Sequence, residues 1–311
     1  MAKTITNNHA SNTITLKRNR KKATPIIPNG KKKKLIAFGW YGGKFSHLDW
    51  LLPLLPELHH FCEPYGGSAA VLLNRKPALV ETYNDLDGDV VNFFRVLRSQ
   101  KSKLVRAISL TPFSREEFAK ACEIDTSLSE LERARRFYVR ARQVRTGLAQ
   151  TASLGRWANC KNTSRSGMSG VISRWLGGVE ALPYIAERLL RVQIENRPAE
   201  EIIKLYDSQD TLFYCDPPYV HDTRGDSKAY GFEMTDEDHR SLANTLNKAK
   251  GKVAISNYDC NLMNELYSSP KWKKTVGPAK TNHATKGIRI EVLWTNYDPT
   301  SLSENHKLTL L

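Results

Sequence analysis

The stretch TLFYCDPPYV, residues 211–220, begins as an apolar run and ends abruptly on Asp216, two prolines and Tyr219. Neither proline has an N–H to donate to a sheet, and each proline ring fixes its own φ angle. The residue before a proline is also disfavoured in the helical region. The stretch therefore predicts a buried strand that ends by holding a carboxylate and a phenol in a stiff backbone frame.

Strand–turn–helix units lie on both sides of this stretch. Apolar segments end near Glu63 and near Tyr83, and each is followed by a polar or glycine-containing turn and then by a helical pattern. Further strand patterns occur at residues 252–259 and 288–298, and a helical pattern with a capping signal precedes the first of them. Units of this kind in succession predict an α/β fold in which helices cover the faces of a parallel sheet.

A central segment interrupts this alternation. Residues 100–205 are rich in arginine and in helical patterns, and they include a long polar loop with two tryptophans at residues 154–178. We therefore expect a basic, disordered tail at residues 1–34 and a sheet domain formed by residues 35–99 together with residues 206–311. The helical segment is inserted between the two parts of that sheet domain.

The net charge of +15 is concentrated in two regions. Residues 1–34 carry ten Lys or Arg and no acid, and residues 131–197 carry twelve Arg and one Lys against four Glu. The tail is either a solvated leader or an arm that binds a polyanion. In the central region arginine predominates, and its planar fork suits phosphates and guanine edges. We expect that region to contact nucleic acid. Arg140, Arg142 and Arg145 are spaced to lie broadly on one helix side, and Arg145, Arg156 and Arg165 are candidate nucleic-acid-binding residues.

Several classes of protein are disfavoured by the composition. No apolar run is long enough to cross a bilayer, and the first residues lack the hydrophobic region of a secretory signal. The five cysteines are scattered and include no C-x-x-C pair. We therefore expect a protein of the reducing cytoplasm that has no disulfide framework, no metal site and no membrane partner.

Polar groups follow three of the predicted strands, at the edge where ligands of open α/β sheets bind. Glu63 is followed by Pro-Tyr-Gly-Gly, Asp85 follows the second strand, and Asp216 follows the third. A glycine pair lets the backbone approach a ligand closely, and a carboxylate beside it suits ribose hydroxyls. Taken alone, the first two features are also common in turns that merely connect elements.

The turn at residues 216–219 is more specific. The Asp216 carboxylate and the Pro217 carbonyl are two acceptors in fixed relation, which suits the two N–H donors of an exocyclic amine. Tyr219 offers an aromatic face on which a base can stack, an interaction worth about 1–3 kcal/mol. The alternative is a Pro-Pro turn that ends a strand and carries a solvated Asp.

The chain resembles a known family, the DNA adenine methylases (Dam-like, D12 class). Asp-Pro-Pro-Tyr is the signature of amino-group DNA methyltransferases, and the other matching elements occur in the family's order over about 260 residues. These elements are GWYGGK (39–44), EPYGGSAAVLLN (63–74), NDLDGDVVNFFRVLR (84–98), DHRSLANTL (238–246), SNYD (256–259) and RIEVLWTNY (289–297).

The resemblance implies a Rossmann-like methyltransferase sheet with an inserted helical target-recognition domain. It implies transfer of a methyl group from S-adenosylmethionine to N6 of an adenine flipped out of double-stranded DNA, with no metal and no required oligomer. The residues carried over for catalysis are Asp216, Pro217, Pro218 and Tyr219. Those carried over for the cofactor are Trp40, Lys44, Glu63, Tyr65, Gly67, Asp85 and Asp216.

Other interpretations stay open from the sequence. Trp40 is also compatible with a core aromatic, and Lys44 with a surface charge. The chain as a whole is compatible with a DNA-binding protein on an inactive methylase scaffold, although Asp216, Tyr219 and Lys44 are intact. A nearer alternative changes only the acceptor, to cytosine N4 or to an amine of RNA or protein. Asp216 favours adenine, because cytosine enzymes more often carry serine before the two prolines.

Two further expectations concern loops. The family's second loop glycine is Ala69 here, and because Ala69 adds only a methyl group and is expected to begin a helix, we expect it to be tolerated. After the Pro-Pro turn, the polar residues His221, Asp222, Arg224 and Tyr230 lie on a loop that could close over a bound base.

Overall fold

A seven-stranded sheet forms the centre of the computed structural model, which describes residues 34–147, 149–165, 167–221, 231–281 and 288–300. The strand order is β5-β2-β1-β6-β7-β9-β8. Pairing is parallel from β5 to β7, and β9 and β8 are antiparallel to their neighbours. The strands are β1 (His60–Glu63), β2 (Val80–Asn84), β5 (Gln193–Glu195), β6 (Thr211–Cys215), β7 (Lys252–Tyr258), β8 (Lys273–Thr281) and β9 (Ile288–Thr295), and a separate hairpin pairs β3 (Ser164–Arg165) with β4 (Met168–Ser169).

The two central strands are buried along their whole length. Every residue of β1 and of β6 is buried, as expected for strands covered by helices on both faces. Their register pairs Cys62 with Phe213, and Cys62 also pairs with Thr82 of β2. The predicted α/β fold with a Rossmann-like, mostly parallel sheet is thereby confirmed.

Helices cover the sheet and fill the central segment. The predicted capping box is present, because Thr235 accepts from the backbone N–H of Asp238 while the Asp238 side chain accepts from that of Thr235. The helices are α1 (Leu48–Leu51), α2 (Ala70–Asn74), α3 (Gly88–Ser99), α4 (Lys101–Ser109), α5 (Arg115–Cys122), α6 (Glu130–Gln143), α7 (Gly170–Leu189), α8 (Ala199–Tyr206), α9 (Asp236–Lys248) and α10 (Asn261–Leu266). None of the helices in the described ranges is long and apolar enough to cross a membrane.

The helices of the central segment share a core with the sheet. Phe137 and Tyr138 of α6 pack on Phe93 of α3, with ring centroids 5.7 and 5.5 Å apart. The polar loop expected at residues 154–178 ends earlier, because α7 begins at Gly170 and buries Trp175. The chain also returns to the sheet at β5, before residue 205, because three residues reading Gln-Ile-Glu are too short and polar to be recognised as a strand.

The turn before α2 contains a strained residue. Ala69 is the N-cap of α2 rather than its first residue, and its φ of 55° lies in the left-handed region. That conformation costs an L-residue about 1–2 kcal/mol, whereas glycine adopts it freely. The expectation that Ala69 simply begins the helix is therefore wrong, and the glycine that the family carries there has a conformational reason.

We predict that Ala69→Gly does not destabilise the protein and raises its free energy of unfolding by up to about 1 kcal/mol, because relief of strain offsets the added entropy of the unfolded chain. The matched control is Ala107→Gly in α4, where the backbone is helical and glycine should cost about 1 kcal/mol. Urea denaturation of both variants makes the comparison. A loss in Ala69→Gly as large as that in Ala107→Gly would contradict the assignment of strain.

Candidate active site

A cavity of about 320 Å³ opens at the carboxyl ends of β1, β2 and β6. From β1 the chain continues to β2 on one side, while β6 pairs with β1 on the other side. This change of direction creates a crevice at the sheet edge, which is where ligands of open α/β sheets bind. The cavity is therefore the candidate active site.

Most of the cofactor and catalytic residues expected from the sequence lie around this cavity. Pro217 and Tyr219 do not contribute to its lining, although both neighbours of Pro217 do. The expected residues that line the cavity are Trp40, Lys44, Glu63, Tyr65, Gly67, Asp85, Asp216 and Pro218.

Two glycines form the floor of the cavity at positions where a side chain does not fit. A Cβ on Gly66 would lie 2.2 Å from the ring of Tyr83, and one on Gly67 would lie 2.7 Å from the indole nitrogen of Trp40. Gly67 also has a φ of 46°. The Tyr83 hydroxyl donates to the Gly67 carbonyl over 2.8 Å. The loop is therefore held by its contacts with Tyr83 and Trp40, and it lines the cavity with its backbone.

Asp85 fixes the same loop from the side. Its carboxylate accepts from the Gly67 N–H at 2.7 Å and from the Asp87 N–H at 2.8 Å. Burial raises the pKa of Asp85 to about 6, against the lowering effect of these backbone donors. Burial also raises the pKa of Glu63 well above its ordinary value, although the Leu72 N–H donates to it at 3.2 Å. The walls of the cavity therefore carry acids that hold their protons to unusually high pH.

Lys44 joins two carboxylates beside the cavity. Its Nζ lies 2.6 Å from Oδ1 of Asp216 and 3.4 Å from Oε1 of Glu291, and it donates to the Gly42 carbonyl at 2.7 Å. Lys44 and Glu291 are only 3% and 4% exposed. Burial opposes the charge on Lys44, but the two carboxylates outweigh it and raise the pKa of the ammonium. One cation is thus shared by two carboxylates, of which Glu291 is buried and Asp216 is partly exposed.

Opposing effects set the pKa of Asp216. Burial raises the pKa of Asp216 to about 6, the positive charge of Lys44 lowers it, and the negative charge of Glu291 raises it further. Above that pH the group is a carboxylate facing the cavity, and below it the group is a neutral acid. The charge on Asp216 therefore depends on its two neighbours.

Tyr219 lies behind this cluster. Its hydroxyl donates to Oε1 of Glu291, and its ring meets the edge of the Tyr258 ring at a centroid distance of 4.8 Å. The Lys44 ammonium lies 4.9 Å from the Tyr219 ring centroid, and Tyr219 is only 4% exposed. Stacking of a base on this ring stays a prediction, and it requires Lys44 to move off the ring.

Glu291 and Gln150 are among the site residues that sequence reasoning missed. Glu291 lies within the apolar run of β9, and a charged residue inside a buried strand is a signal that could have identified it. Gln150 comes from the central segment and lines the cavity, where it donates to Asp87 at 2.8 Å and accepts from the Gly231 N–H at 3.0 Å. No feature of the sequence singles out Gln150.

The candidate DNA-binding arginines lie away from the cavity. Arg145 donates to the Trp157 carbonyl and to Asn159, Arg156 donates to Thr151, and Arg165 is exposed on β3. The sequence spacing predicts that Arg140 lies on one helix side with Arg142 and Arg145 and faces the duplex. For Arg140 this is wrong, because it is buried and forms an ion pair with Asp89 at 3.0 Å.

The predicted closing loop is largely outside the described residues, which include His221 but not Asp222, Arg224 or Tyr230. His221 Nε2 lies 3.9 Å from a carboxylate oxygen of Glu233. Within the described ranges, no group of His, Cys, Asp and Glu side chains is arranged to hold a metal ion.

Comparison with known proteins agrees with this geometry. The family model of the D12 class N6 adenine-specific DNA methyltransferases matches residues 40–277. The chain is 26% identical over 253 residues to a DNA adenine methylase of Vibrio cholerae serotype O1, covering 76% of this chain and 86% of that protein. It is 23% identical over 290 residues to the Retron Ec67 DNA adenine methylase of Escherichia coli, covering 84% and 93%. The chain belongs to the D12 class, which confirms the resemblance and the class of enzyme.

We predict that Glu291→Gln changes the acid limb of the pH profile of DNA methylation. Asp85 and Asp216 both ionise near pH 6, so the native limb should report two protons. Removing the negative charge of Glu291 lowers the pKa of Asp216, so the limb should become less steep and its midpoint should move to lower pH. Gln still accepts from Tyr219, which preserves the packing.

The measurement is kcat/KM for methyl transfer between about pH 5 and 8, the range in which these carboxyls change charge. The control is Glu123→Gln, which replaces an exposed acid that does not line the cavity, and it should leave the profile unchanged. An unmoved limb in Glu291→Gln, or one shifted to higher pH, would show that Glu291 does not act on Asp216.

Proposed function

We propose that the chain transfers the methyl group of S-adenosylmethionine to N6 of an adenine flipped out of double-stranded DNA at a specific sequence. The observation that carries this proposal is the single cavity lined by Asp216, Asp85 and the Gly66–Gly67 loop, in a chain of the D12 class. The bacterial relatives suggest a cytoplasmic setting for such a substrate.

The residues of the cavity fit the proposed cofactor. Its volume of about 320 Å³ is typical of a small-molecule site. The glycine floor lets a flat nucleoside approach the backbone, and the ionised Asp85 is an acceptor for ribose hydroxyls. Lys44 can bind a carboxylate, and Trp40 offers an aromatic wall. Glu63 and Tyr65 also line the cavity.

The turn at residues 216–219 would present the acceptor amine. The Asp216 carboxylate and the Pro217 carbonyl accept the two N6 hydrogens and thereby direct the nitrogen lone pair out of conjugation with the ring. When bound, S-adenosylmethionine supplies a methyl group on a sulfonium sulfur, which keeps the electrons of the broken carbon–sulfur bond. N6 forms the new bond and releases one proton, which Asp216 can take up because its pKa is about 6. Catalysis then consists mainly of positioning.

The adenine must leave the duplex before N6 can reach this turn. Flipping costs a few kcal/mol, because the base is unstacked and unpaired. Stacking on Tyr219 would offset part of that cost if Lys44 leaves the ring face when it binds the cofactor. Pro218, which lines the cavity, would form the boundary between the donor and the base.

The central segment would hold the duplex. We propose residues 100–205 as the target-recognition region, residues 35–99 with residues 206–311 as the catalytic part, and residues 1–34 as a basic tail. Support comes from the polar stretch at residues 144–169, which carries Arg145, Arg156 and Arg165 and contains no acid. Gln150 supplies a direct connection between that stretch and the cavity.

We predict that expression in a host without DNA methylation produces 6-methyladenine at a defined sequence, and that Asp216→Ala abolishes it. Without the carboxylate, the N6 hydrogens lose an acceptor and the released proton has no nearby base. The control is Asp125→Ala, an exposed loop residue that should methylate normally. Labelled methyl groups recovered only in cytosine, RNA or protein would contradict the proposal, and so would full methylation by Asp216→Ala.

A further inference from the structure

Two groups can be distinguished among the arginines of the central segment. The five arginines of the first group are neutralised by acids of the fold, so they stabilise the structure and are not available to DNA. Arg133 and Arg140 bind Asp89, Arg135 binds Glu117 and Glu132, Arg136 binds Glu132, and Arg188 binds Glu81.

A second group surrounds a cavity of about 360 Å³ between the end of α6, the chain after it and the start of α7. Its polar lining consists of Arg142, Arg145, Arg174 and Asn159, and the rest is apolar. Among the described residues, no Asp or Glu lines this cavity. Its lining therefore carries positive charge and no carboxylate.

Arg142 is held in place at the back of this cavity. Its guanidinium lies against α7 at Gly178, where a Cβ would be 2.4 Å from a terminal nitrogen. One terminal nitrogen donates to the Arg174 carbonyl. The Nε atom is buried and has no hydrogen-bond partner among the described residues. The guanidinium keeps its positive charge beside the cavity, so an anion bound there would be attracted to it.

Arg145 and Arg174 complete the cavity from two sides. Arg145 is oriented by the Trp157 carbonyl at 3.1 Å and by Oδ1 of Asn159 at 2.6 Å. The side chain of Arg174 is exposed on the first turns of α7. The cavity therefore presents three guanidinium groups to the same space: one packed against α7, one oriented by hydrogen bonds and one exposed.

The cavity is connected to the active site through a short stretch of backbone. Gly147, two residues after Arg145, accepts from the Tyr41 N–H at 3.2 Å. A Cβ on Gly147 would lie 2.9 Å from the backbone of Trp40, which itself lines the cofactor cavity. A ligand bound by Arg145 would thus be positioned relative to the active site.

We propose that this cavity binds a phosphodiester group of the DNA substrate and so fixes the register of the duplex against the active site; this inference rests on the proposed function. Three guanidinium groups match the charge and the bidentate geometry of phosphate oxygens. The only side-chain acceptor in the lining, Asn159 Oδ1, is already engaged by Arg145, so the cavity offers donors to an anion and few acceptors to a base edge.

The test compares Arg174→Gln, Arg174→Lys and the native chain in binding to the duplex that the native chain methylates. Arg174 is exposed, so its replacement should leave folding intact. For Arg174→Gln we expect about tenfold weaker binding at low salt, and a slope of log affinity against log salt that is smaller by about 0.9, the value for one lost phosphate contact. Arg174→Lys keeps the charge and should restore most of the slope.

The control is Arg240→Gln, which removes an exposed arginine of α9 that is already paired with Glu265. It should leave both affinity and slope unchanged. Preference for the target sequence should be unaltered in Arg174→Gln, because phosphate contacts carry no sequence information.

An unchanged slope in Arg174→Gln would overturn the inference, and so would a relaxed sequence preference at an unchanged slope, which would mean that Arg174 reads a base. If the native chain methylates DNA normally, either outcome contradicts only the proposed phosphate site. If the native chain methylates no DNA, the proposed function itself is contradicted.

Discussion

The ion pair between Lys44 and Asp216 is the interaction on which the rest of the site depends. Asp216 is a stronger hydrogen-bond acceptor, and a base, only when it is ionised, yet burial favours its neutral form, and Lys44 at 2.6 Å supplies the opposing charge. Asp85 and Asp216 have pKa values near 6 in the folded protein and near 3.8 in the unfolded chain. The folded state therefore binds more protons between these values, and stability decreases as pH rises through that window. At neutral pH both carboxylates are charged at the expense of stability, as expected where a site is built for chemistry.

The sequence predicted the parts of this arrangement that follow from local pattern. Strands β1, β2, β6, β7 and β9 end in or contain recognisable motifs, and eight of the expected site residues line one cavity. The edge strands β5 and β8 were missed, because Gln193–Glu195 is short and polar and Lys273–Thr281 is rich in lysine and contains proline.

The burial of Tyr219 could not be inferred, since its partner Glu291 is 72 residues away in sequence and meets it only when β9 pairs with β7. The left-handed conformation of Ala69 could not be inferred either, because alanine rarely adopts a positive φ.

Composition alone could not separate the arginines that build the central segment from those that face outward. Arg140 and Arg142 are two residues apart, but the first is paired with Asp89 on α3 and the second lies beside Gly178 in a cavity without acids. The difference arises from which helices pack on α6. The same packing connects the segment to the cofactor cavity through Gly147 and Gln150, so that a bound duplex and a bound cofactor would share one rigid framework.

The most direct test of the central claim is titration of the Asp216 carboxyl by carbon-13 NMR in the native protein and in Lys44→Met, with Asp216 assigned from the Asp216→Asn spectrum. The account predicts a pKa of about 6 for native Asp216 and a higher pKa in Lys44→Met, because the replacement keeps the packing and removes the positive charge that favours ionisation. A native pKa near the ordinary value of 3.8, or a pKa that does not change when Lys44 is replaced, would contradict it.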